Sequence, residues 1–591
     1  PEEYWTRPID AQHRDWYKIG GNWLSSPDNL CAPYNEYAPE TAHILWAKPL
    51  TTGGLAGGIT GQHAMECGDA YEGKFQDSII LNGVLYYERY GNDIFGSPLN
   101  DALGVVAVDL RTGEELWTKE GVIFSFGQTF YWDSWNYHGV FDYLWEVQGD
   151  TWTAYDPFTG DDIWSISNVP DGTRYTGPNG EFYILVTDLE NGWMALWNQA
   201  KCNLQWAERD FFDPTWAPGS WGRNVNNRVS NATLCYEWNV TIPLDLPGSV
   251  NWVLEDRIIG SNATGYWLPN VGDRPITMWG ISTEPGHEGE LLFKETWQPP
   301  LGDLGIGIGS GDRIAASVED GLFTMAAKET RQIWGFDIET GKKIWGPTES
   351  LPYMAQYQIE TQIIEGTLIV NTVMAGVVKA YDVQTGNELW TYEATDPYNE
   401  INWGNNWPLD TMFITDGKIY VGHEVHSPID PKPHGAPFIC LDVETGEEVF
   451  RVNGLFRQTG WGGLGIIGDS IIATMDSYDQ RIYAIGKGPS ETTVSIQDDV
   501  IALGSSVLLK GTVMDISAGT EDSAVASRFP AGVPAVADED MSEWMLHVYK
   551  QFSKPADPVG VPVKLEAIDP NGNFISIGRV TSDMSGMFKK M

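Results

Sequence analysis

VKAYDVQTGNELWTYE, residues 378 to 393, decides the fold. It reads as a strand with alternating inward residues (Val378, Ala380, then Tyr381-Asp382) and a turn over Gln384-Thr385-Gly386-Asn387. A second strand follows and carries Trp390. Glycine suits the turn because it takes positive φ without steric cost. The layout returns in VVAVDLRTGEELWTK (Trp117), TAYDPFTGDDIW (Trp164), WGFDIETGKKIW (Trp345) and CLDVETGEEVF (Phe450). A hairpin of this size cannot bury its own apolar face, so copies must stack on one another.

Weaker copies fill the gaps. TMWGISTEPGHEGELLF ends at Phe293, and MALWNQAKC breaks off at Cys202 and resumes as CYEW, which makes Trp238 its aromatic. The last hairpin strand, RIYAIG (481 to 486), has no Trp strand after it, whereas ILW (44 to 46) is a Trp strand with no hairpin before it. Pairing the two closes a ring and leaves no free sheet edge inside it. The docking aromatics are then Trp46, Trp117, Trp164, Trp238, Phe293, Trp345, Trp390 and Phe450. Their shortest separation, 45 residues (390−345), fits the roughly 40 to 50 residues of a four-stranded propeller blade, and longer ones mark insertions. The sequence predicts an all-β chain: an eight-bladed propeller over 43–487 with N-terminal strand closure, an arm over 1–42, and an immunoglobulin-like sandwich over 488–591.

The 591 residues include 81 acidic and 36 basic side chains, a net charge of −45. Such a surface repels nucleic acid and anionic lipid and attracts cations, and it fits either high salt or an acidic exterior. No membrane-spanning run is present, and an opening at Pro1 without Met reads as a processed end. Asn231, Asn239 and Asn262 are Asn-x-Ser/Thr acceptors clustered at the interrupted copy, where Cys202 and Cys235 are placed to form a disulfide across the insertion. Cys31 and Cys67 form the natural second pair, stapling the arm to the first blade, and Cys440 reads as a buried small side chain. Together these features predict an extracellular or cell-surface glycoprotein.

Residues 1 to 40, rich in Trp and Tyr, read as an irregular arm over the ring. Gly-rich stretches at 51–61, 302–311 and 459–468 precede innermost strands, where little room is left for Cβ atoms. FYWDSWNYHGVFDYLW (130 to 145) reads as an inserted cap or as a stacking platform for glycans or surface proteins. Trp132 and Trp135 within it, with Trp403 and Trp407 in NWGNNWPLD, are the candidate binding surface. A further aromatic insert, 206–224, lies inside the Cys202–Cys235 loop. His423, His426 and His434 read either as a transition-metal site or as a polar loop between two strands. DPNGN (569 to 573) resembles the start of a Ca²⁺ loop, but no suitably spaced Glu follows it and it reads as a plain turn.

Beyond residue 488, two alternating stretches (494–517 and 561–583) have the pattern of sandwich strands. Between them Asp538 is placed to cap a helix whose Met541, Trp544, Met545 and Val548 share one face, expected to pack on the sandwich. MFKKM after Gly586 reads as too little for the closing strand. This predicts an incomplete sheet, either because the remaining strands belong to a longer precursor or because another copy finishes it in a homo-oligomer or filament, with Tyr4 and Trp5 as anchors of a donated arm.

The Ala-x-Asp-x-x-Thr-Gly-x-x-x-Trp hairpins resemble the PQQ-type propeller repeat of quinoprotein alcohol dehydrogenases and of an outer-membrane assembly lipoprotein, over about residues 43 to 487. The acidic, Trp-rich propeller followed by an immunoglobulin-like domain resembles cell-surface proteins of archaea. The resemblance speaks to fold, because enzymes and scaffolds share the repeat. In the dehydrogenases adjacent cysteines lie over the quinone and a Glu, Asn and Asp set holds Ca²⁺; no two cysteines are adjacent here. Asp109, Asp156, Asp337, Asp382 and Asp442 recur at one turn position and read as structural. The expectation is therefore a non-catalytic structural or assembly subunit without cofactor or catalytic residues. The alternatives are a glycan- or protein-binding module, a polysaccharide-active enzyme or a quinoprotein dehydrogenase.

Overall fold

Each Asp-x-x-Thr-Gly turn is built by its own side chains. Asp382 Oδ1 accepts from Thr385 N (2.8 Å) and Thr385 Oγ1 (2.7 Å), and the same bonds form at Asp109–Thr112, Asp337–Thr340 and Asp442–Thr445. The turn glycine then takes left-handed φ: 69° at Gly386, 69° at Gly113, 68° at Gly341 and 72° at Gly446. The computed structural model describes residues 37–49, 75, 78–90, 102–134, 137–177, 179–202, 228–263, 275–299, 315–401, 405–423, 434–455, 465–476, 478–479, 481–498 and 500–591, with the short strands Cys31–Ala32 and Ile306–Gly307.

The architecture is all-β. Among the described residues, eight antiparallel sheets of four principal strands follow one another along the chain. Their outer strands carry the landmark aromatics: Glu115–Glu120 (Trp117), Asp162–Ser167 (Trp164), Tyr236–Thr241 (Trp238), Leu291–Trp297 (Phe293), Lys343–Trp345, Glu388–Glu393 (Trp390) and Glu448–Asn453 (Phe450). In the eighth sheet the outer strand is Ile44–Pro49, paired antiparallel with Arg481–Ile485. Distinct apolar cores join each sheet to the next, and one in which Leu45, Ile471 and Ile482 meet Ile80, Leu85 and Val106 joins the eighth to the first. The packing order is cyclic and propeller-like.

Docking between sheets reuses the turn. Trp345 Nε1 donates to Val383 O (2.8 Å) of the following sheet, as do Trp390 to Val443 O (2.9 Å), Trp117 to Pro157 O (3.2 Å) and Trp46 to Leu110 O (2.9 Å). The ring of each lies on the next turn glycine. A Cβ on Gly386 would sit 2.5 Å from the Trp345 ring, one on Gly446 2.5 Å from Trp390, and one on Gly113 2.7 Å from Trp46.

Two segments extend this scheme. Arg228–Asn231 adds parallel to the outer strand of the second sheet, and Cys31–Ala32 adds parallel to Leu409–Thr415, the innermost strand of the seventh. The chain then crosses the end of the seventh sheet, where Ala38 N donates to Asp416 Oδ2 (3.0 Å) and Tyr420 Oη donates to Pro39 O (2.6 Å).

Four expectations need correction. The aromatic stretch 130–145 is not an inserted cap, because its backbone lies in Phe126–Ser134 and Tyr137–Gln148, the two inner strands of the second sheet. Tyr137–Gln148 pairs with its other neighbour, Thr151–Tyr155, only from Leu144 onward, so the hairpin runs on as a two-stranded ribbon. The helical stripe does not pack on the sandwich: Trp544, Met545 and Val548 share a core with Phe450, Ile472 and Tyr483 of the seventh and eighth sheets. Spacing fixes which face is apolar, not what meets it. Asp538 lies in a 3-10 turn, and the residue at the helix N-cap is Asp540, which has no side-chain capping bond; its Oδ2 accepts from Val559 N (2.6 Å). Finally, MFKK is itself a strand, since Met587–Lys590 pairs with Leu509–Asp515.

The carboxy-terminal strands form two further sheets among the described residues. Leu509–Asp515 is flanked by Ser490–Ile496 on one side and by Val533–Pro534 and Met587–Lys590 on the other, and Pro562–Ile568 pairs with Phe574–Thr581. Val513 and Phe588 meet Val563 and Leu565 between them. Helix α1, Ser523–Arg528, and helix α2, Met541–Lys550, connect the strands.

Docking through the glycine is testable against a matched control. Gly417 has φ 66° and open space around its Cβ position, whereas Gly386 has φ 69° and faces Trp345. Gly417→Ala should cost about 1–2 kcal/mol of backbone strain. Gly386→Ala should lose about 1–3 kcal/mol more through overpacking, read as a lower thermal or urea midpoint. Equal losses would show that the indole contact contributes nothing.

Candidate functional site

The described residues bury charge most conspicuously at the seam where the closing strand, the eighth sheet and the carboxy-terminal helices meet. At its centre is Lys550, the last residue of α2. Its Nζ bonds Asp476 Oδ2 and lies 3.3 Å from Asp479 Oδ2, with the Lys550 and Asp476 side chains only 2% and 3% exposed. The ammonium also sits 5.1 Å from the centre of the Tyr483 ring, whose hydroxyl donates to Asp479. Asp476 and Tyr483 belong to Ile471–Asp476 and Arg481–Ile485, so the turn between two ring strands grips a helix from outside the ring.

Two carboxylates share this one cation. Burial, reinforced by repulsion from Asp479, outweighs Lys550 and pushes the Asp476 carboxyl up to about 6. Burial alone would lower the Lys550 pKa, but Asp476 and Asp479 overcome it and hold the ammonium charged.

A second buried pair lies across the same seam. His43 Nδ1 is 2.9 Å from Gly486 O and Nε2 is 2.9 Å from Asp515 Oδ2, while Ser517 N (2.8 Å) and Oγ (2.6 Å) donate to Asp515 Oδ1. Both ring nitrogens face acceptors, and only the imidazolium donates from both. Burial works against that charge, but the hydrogen bond to Asp515 and the charges of Asp515 and Asp538 raise the His43 pKa; burial would raise Asp515, yet His43 and Ser517 hold it below the usual range.

The residues expected to act from sequence scatter. Trp407 is not on a binding surface: it is fully buried in the core between the sixth and seventh sheets, with its ring edge-on to His423 at 4.8 Å. Trp135 and Trp403 lie outside the described residues, as does the Trp132 side chain. His423 Nδ1 meets Pro408 O (2.9 Å), whereas the His434 ring stacks on Phe552 (4.3 Å), and His426 lies outside the described residues. Asp569 holds its own turn, accepting from Asn571 N and Asn573 N. Among the described residues no group of three His, Cys, Asp or Glu is placed to hold a metal ion, and no helix is long and apolar enough to cross a membrane.

Cys202 and Cys235 are disulfide-bonded, with Cα atoms 5.6 Å apart. Cys440 is a buried free thiol whose pKa burial pushes up to about 12. Cys67 and the Cys31 side chain lie outside the described residues. Asn231 and Asn239 are exposed, and Asn262 Oδ1 accepts from Thr277 N (2.8 Å). Sequence reasoning missed the seam: Lys550, Asp476, His43 and Asp515 belong to no motif, and helical phase puts Lys550 about 180° from Met541, opposite the apolar stripe.

Comparison with known proteins gives weak likenesses to propeller-like folds. A family model described as outer membrane protein assembly factor BamB matches residues 308–485. The 1-butanol dehydrogenase (cytochrome c) of Thauera butanivorans is 27% identical over 133 residues, which is 22% of this chain and 15% of that protein. Among solved structures, BamB from Moraxella catarrhalis is 11% identical, with 75% of this chain and 98% of that one covered at a TM-score of 0.30. Kluyveromyces lactis Hsv2 is 10% identical, with 63% and 95% covered at a TM-score of 0.30.

The seam fixes a pH dependence. His43 has a raised pKa, so its contribution is complete below about 6.5 and is lost as pH rises through the folded value. Asp476 has the same sign: raised to about 6, it stabilises most below its unfolded value near 4 and loses that contribution as pH rises through about 6. Asp515, lowered, opposes only in stronger acid. The melting midpoint should therefore fall from pH 5 to pH 8, and His43→Gln should flatten the slope; a midpoint rising across that range would contradict the assignment. Lys550→Met leaves two carboxylates without their cation, and a loss of about 3–5 kcal/mol is expected in equilibrium unfolding.

Proposed function

We propose that this chain is a non-catalytic, exported cell-surface protein acting as a structural or assembly subunit. In this reading 43–487 form an eight-bladed propeller closed by the strand at Ile44, 1–42 an arm on it, and 488–591 an immunoglobulin-like domain. The observation that carries it is the use of the repeat's recurrent polar residues: the Asp and Thr side chains build the turns and the Trp N–H groups dock sheet on sheet. The side chains that recur through the repeat thus serve the chain's own assembly. The family-model match to an assembly factor over 308–485 points the same way. The sequons Asn231, Asn239 and Asn262 and the Cys202–Cys235 bridge support an extracellular glycoprotein, with Cys31–Cys67 as the second bridge.

Self-association is the partner reading that the surface favours. Ser490–Ile496 is the edge of its sheet among the described residues and is exposed along its whole length. Its register places Val494 opposite Gly511 and Ile496 opposite Leu509, on the face of Val513 that packs inward. These two residues are 63% and 51% exposed. An open edge with apolar side chains on its inner face accepts a further strand from another copy.

Light scattering of the purified protein should show concentration-dependent assembly in about 1 M salt, where the Debye length falls to about 3 Å and the repulsion between acidic copies is screened. Val494→Lys with Ile496→Lys should return it to the monomer. A wild-type monomer at every concentration would refute the assembly reading. Loss of a glycan-array signal on changing Trp132 and Trp135 would favour the binding-module alternative. The dehydrogenase match makes a quinoprotein the enzymatic alternative, and dye-linked alcohol oxidation with added quinone and Ca²⁺ would establish it.

A further inference from the structure

Beside the Lys550 cluster, a cavity of about 50 Å³ opens between the closing strand Ile44–Pro49, the strand Arg481–Ile485 and both helices. Arg481, Arg528, Asp522, Tyr549 and Gln551 supply its polar lining. The volume has room for about four water-sized molecules, the size of one tetrahedral oxyanion and too small for a nucleotide or a peptide.

The charges of this lining do not cancel. Arg481 Nη2 reaches Ala47 O at 3.4 Å and Asp522 Oδ2 only at 3.9 Å, and its Nε is buried without a hydrogen-bond partner. Arg528 donates from Nη1 to Val548 O (2.8 Å) and from Nη2 to His547 O (2.6 Å), and makes no ion pair with a carboxylate among the described residues. The single acid, Asp522, already accepts from Ala524 N at the start of α1 (2.8 Å). The Tyr549 hydroxyl is likewise buried and unpartnered. A chain of net charge −45 thus lines a single cavity with two guanidinium groups and one carboxylate. Buried donors without acceptors are costly, and guanidinium N–H groups are best satisfied by an acceptor-rich anion.

We propose that this cavity is a binding site for a small inorganic oxyanion, held by Arg481 and Arg528, which bridges the strand Arg481–Ile485 of the eighth sheet to helix α1. Neither the subunit role nor self-association is needed for it. Sulfate is the probe. In sulfate titrations at constant ionic strength, the melting midpoint of the full chain should rise along a saturating curve, with heat of binding in calorimetry. Sulfate also stabilises proteins generally, without saturation, by exclusion from their surface. Arg481→Gln should leave only that unsaturated rise and weaken the calorimetric affinity at least tenfold. Arg481→Lys, which keeps the charge and loses the fork, should fall between the two. A wild-type curve that never saturates, or one that Arg481→Gln does not alter, would overturn the site.

Discussion

The structure depends on one contact, the flat face of an aromatic ring laid on a glycine that must be left-handed. The turn glycine is where the chain reverses, so φ near 70° disfavours a Cβ on conformational grounds. The same missing Cβ is the space that the ring from the preceding sheet occupies. At Trp46, Trp117, Trp345 and Trp390 the indole N–H then finds the carbonyl just after the turn Asp. Conformation, packing and polar satisfaction thus converge on a few residues per sheet. Phe293 keeps the packing on Gly341 without the hydrogen bond, which marks the ring face as the indispensable part.

This explains what the sequence made legible. Residues that dock must recur at fixed spacing, so the repeat announced the sheets, their order and the closure of Arg481–Ile485 by Ile44–Pro49. Residues that answer to one neighbourhood do not recur. Trp407 read as a surface aromatic because its flanks are polar, yet it fills the core between the sixth and seventh sheets. The stretch 130–145 read as an insertion because aromatic density is foreign to the repeat, but its backbone continues the inner strands of the second sheet. Met587–Lys590 seemed too short for a strand when judged alone, whereas pairing with Leu509–Asp515 needs only the few residues present.

The acidity of the chain gives the seam its character. With charge of one sign in large excess, a buried cation is surrounded by more carboxylates than it can neutralise, as Lys550 is by Asp476 and Asp479. A buried ion pair is weak support for stability on its own, but it is selective about geometry, since removing either partner strands the other. His43 with Asp515 and Lys550 with Asp476 therefore fix how the carboxy-terminal helices sit on the ring more than they deepen the folded state. Mild acid completes the His43–Asp515 pair, whereas it protonates Asp476 and relieves the excess of carboxylate around Lys550.

The location of these features follows from topology. Seven of the eight packing interfaces join sheets that are consecutive along the chain, so forming one brings the next into reach. The eighth sheet is assembled from strands more than 400 residues apart (481−49 = 432), and no covalent continuity helps it close. Its loop-closure entropy is the largest in the ring, although it grows only logarithmically with length. Trp544, Met545 and Val548 pack against that sheet and its neighbour, the seventh, and Lys550 and His43 form their pairs across it. The carboxy-terminal segment thus meets the ring at its least local joint: it covers the outer side of the closing strand and holds both chain-distant partners at once. Opening the ring at this seam requires breaking two desolvated ion pairs as well as a strand pairing, which makes the segment a clasp on the closure rather than an appendage to it.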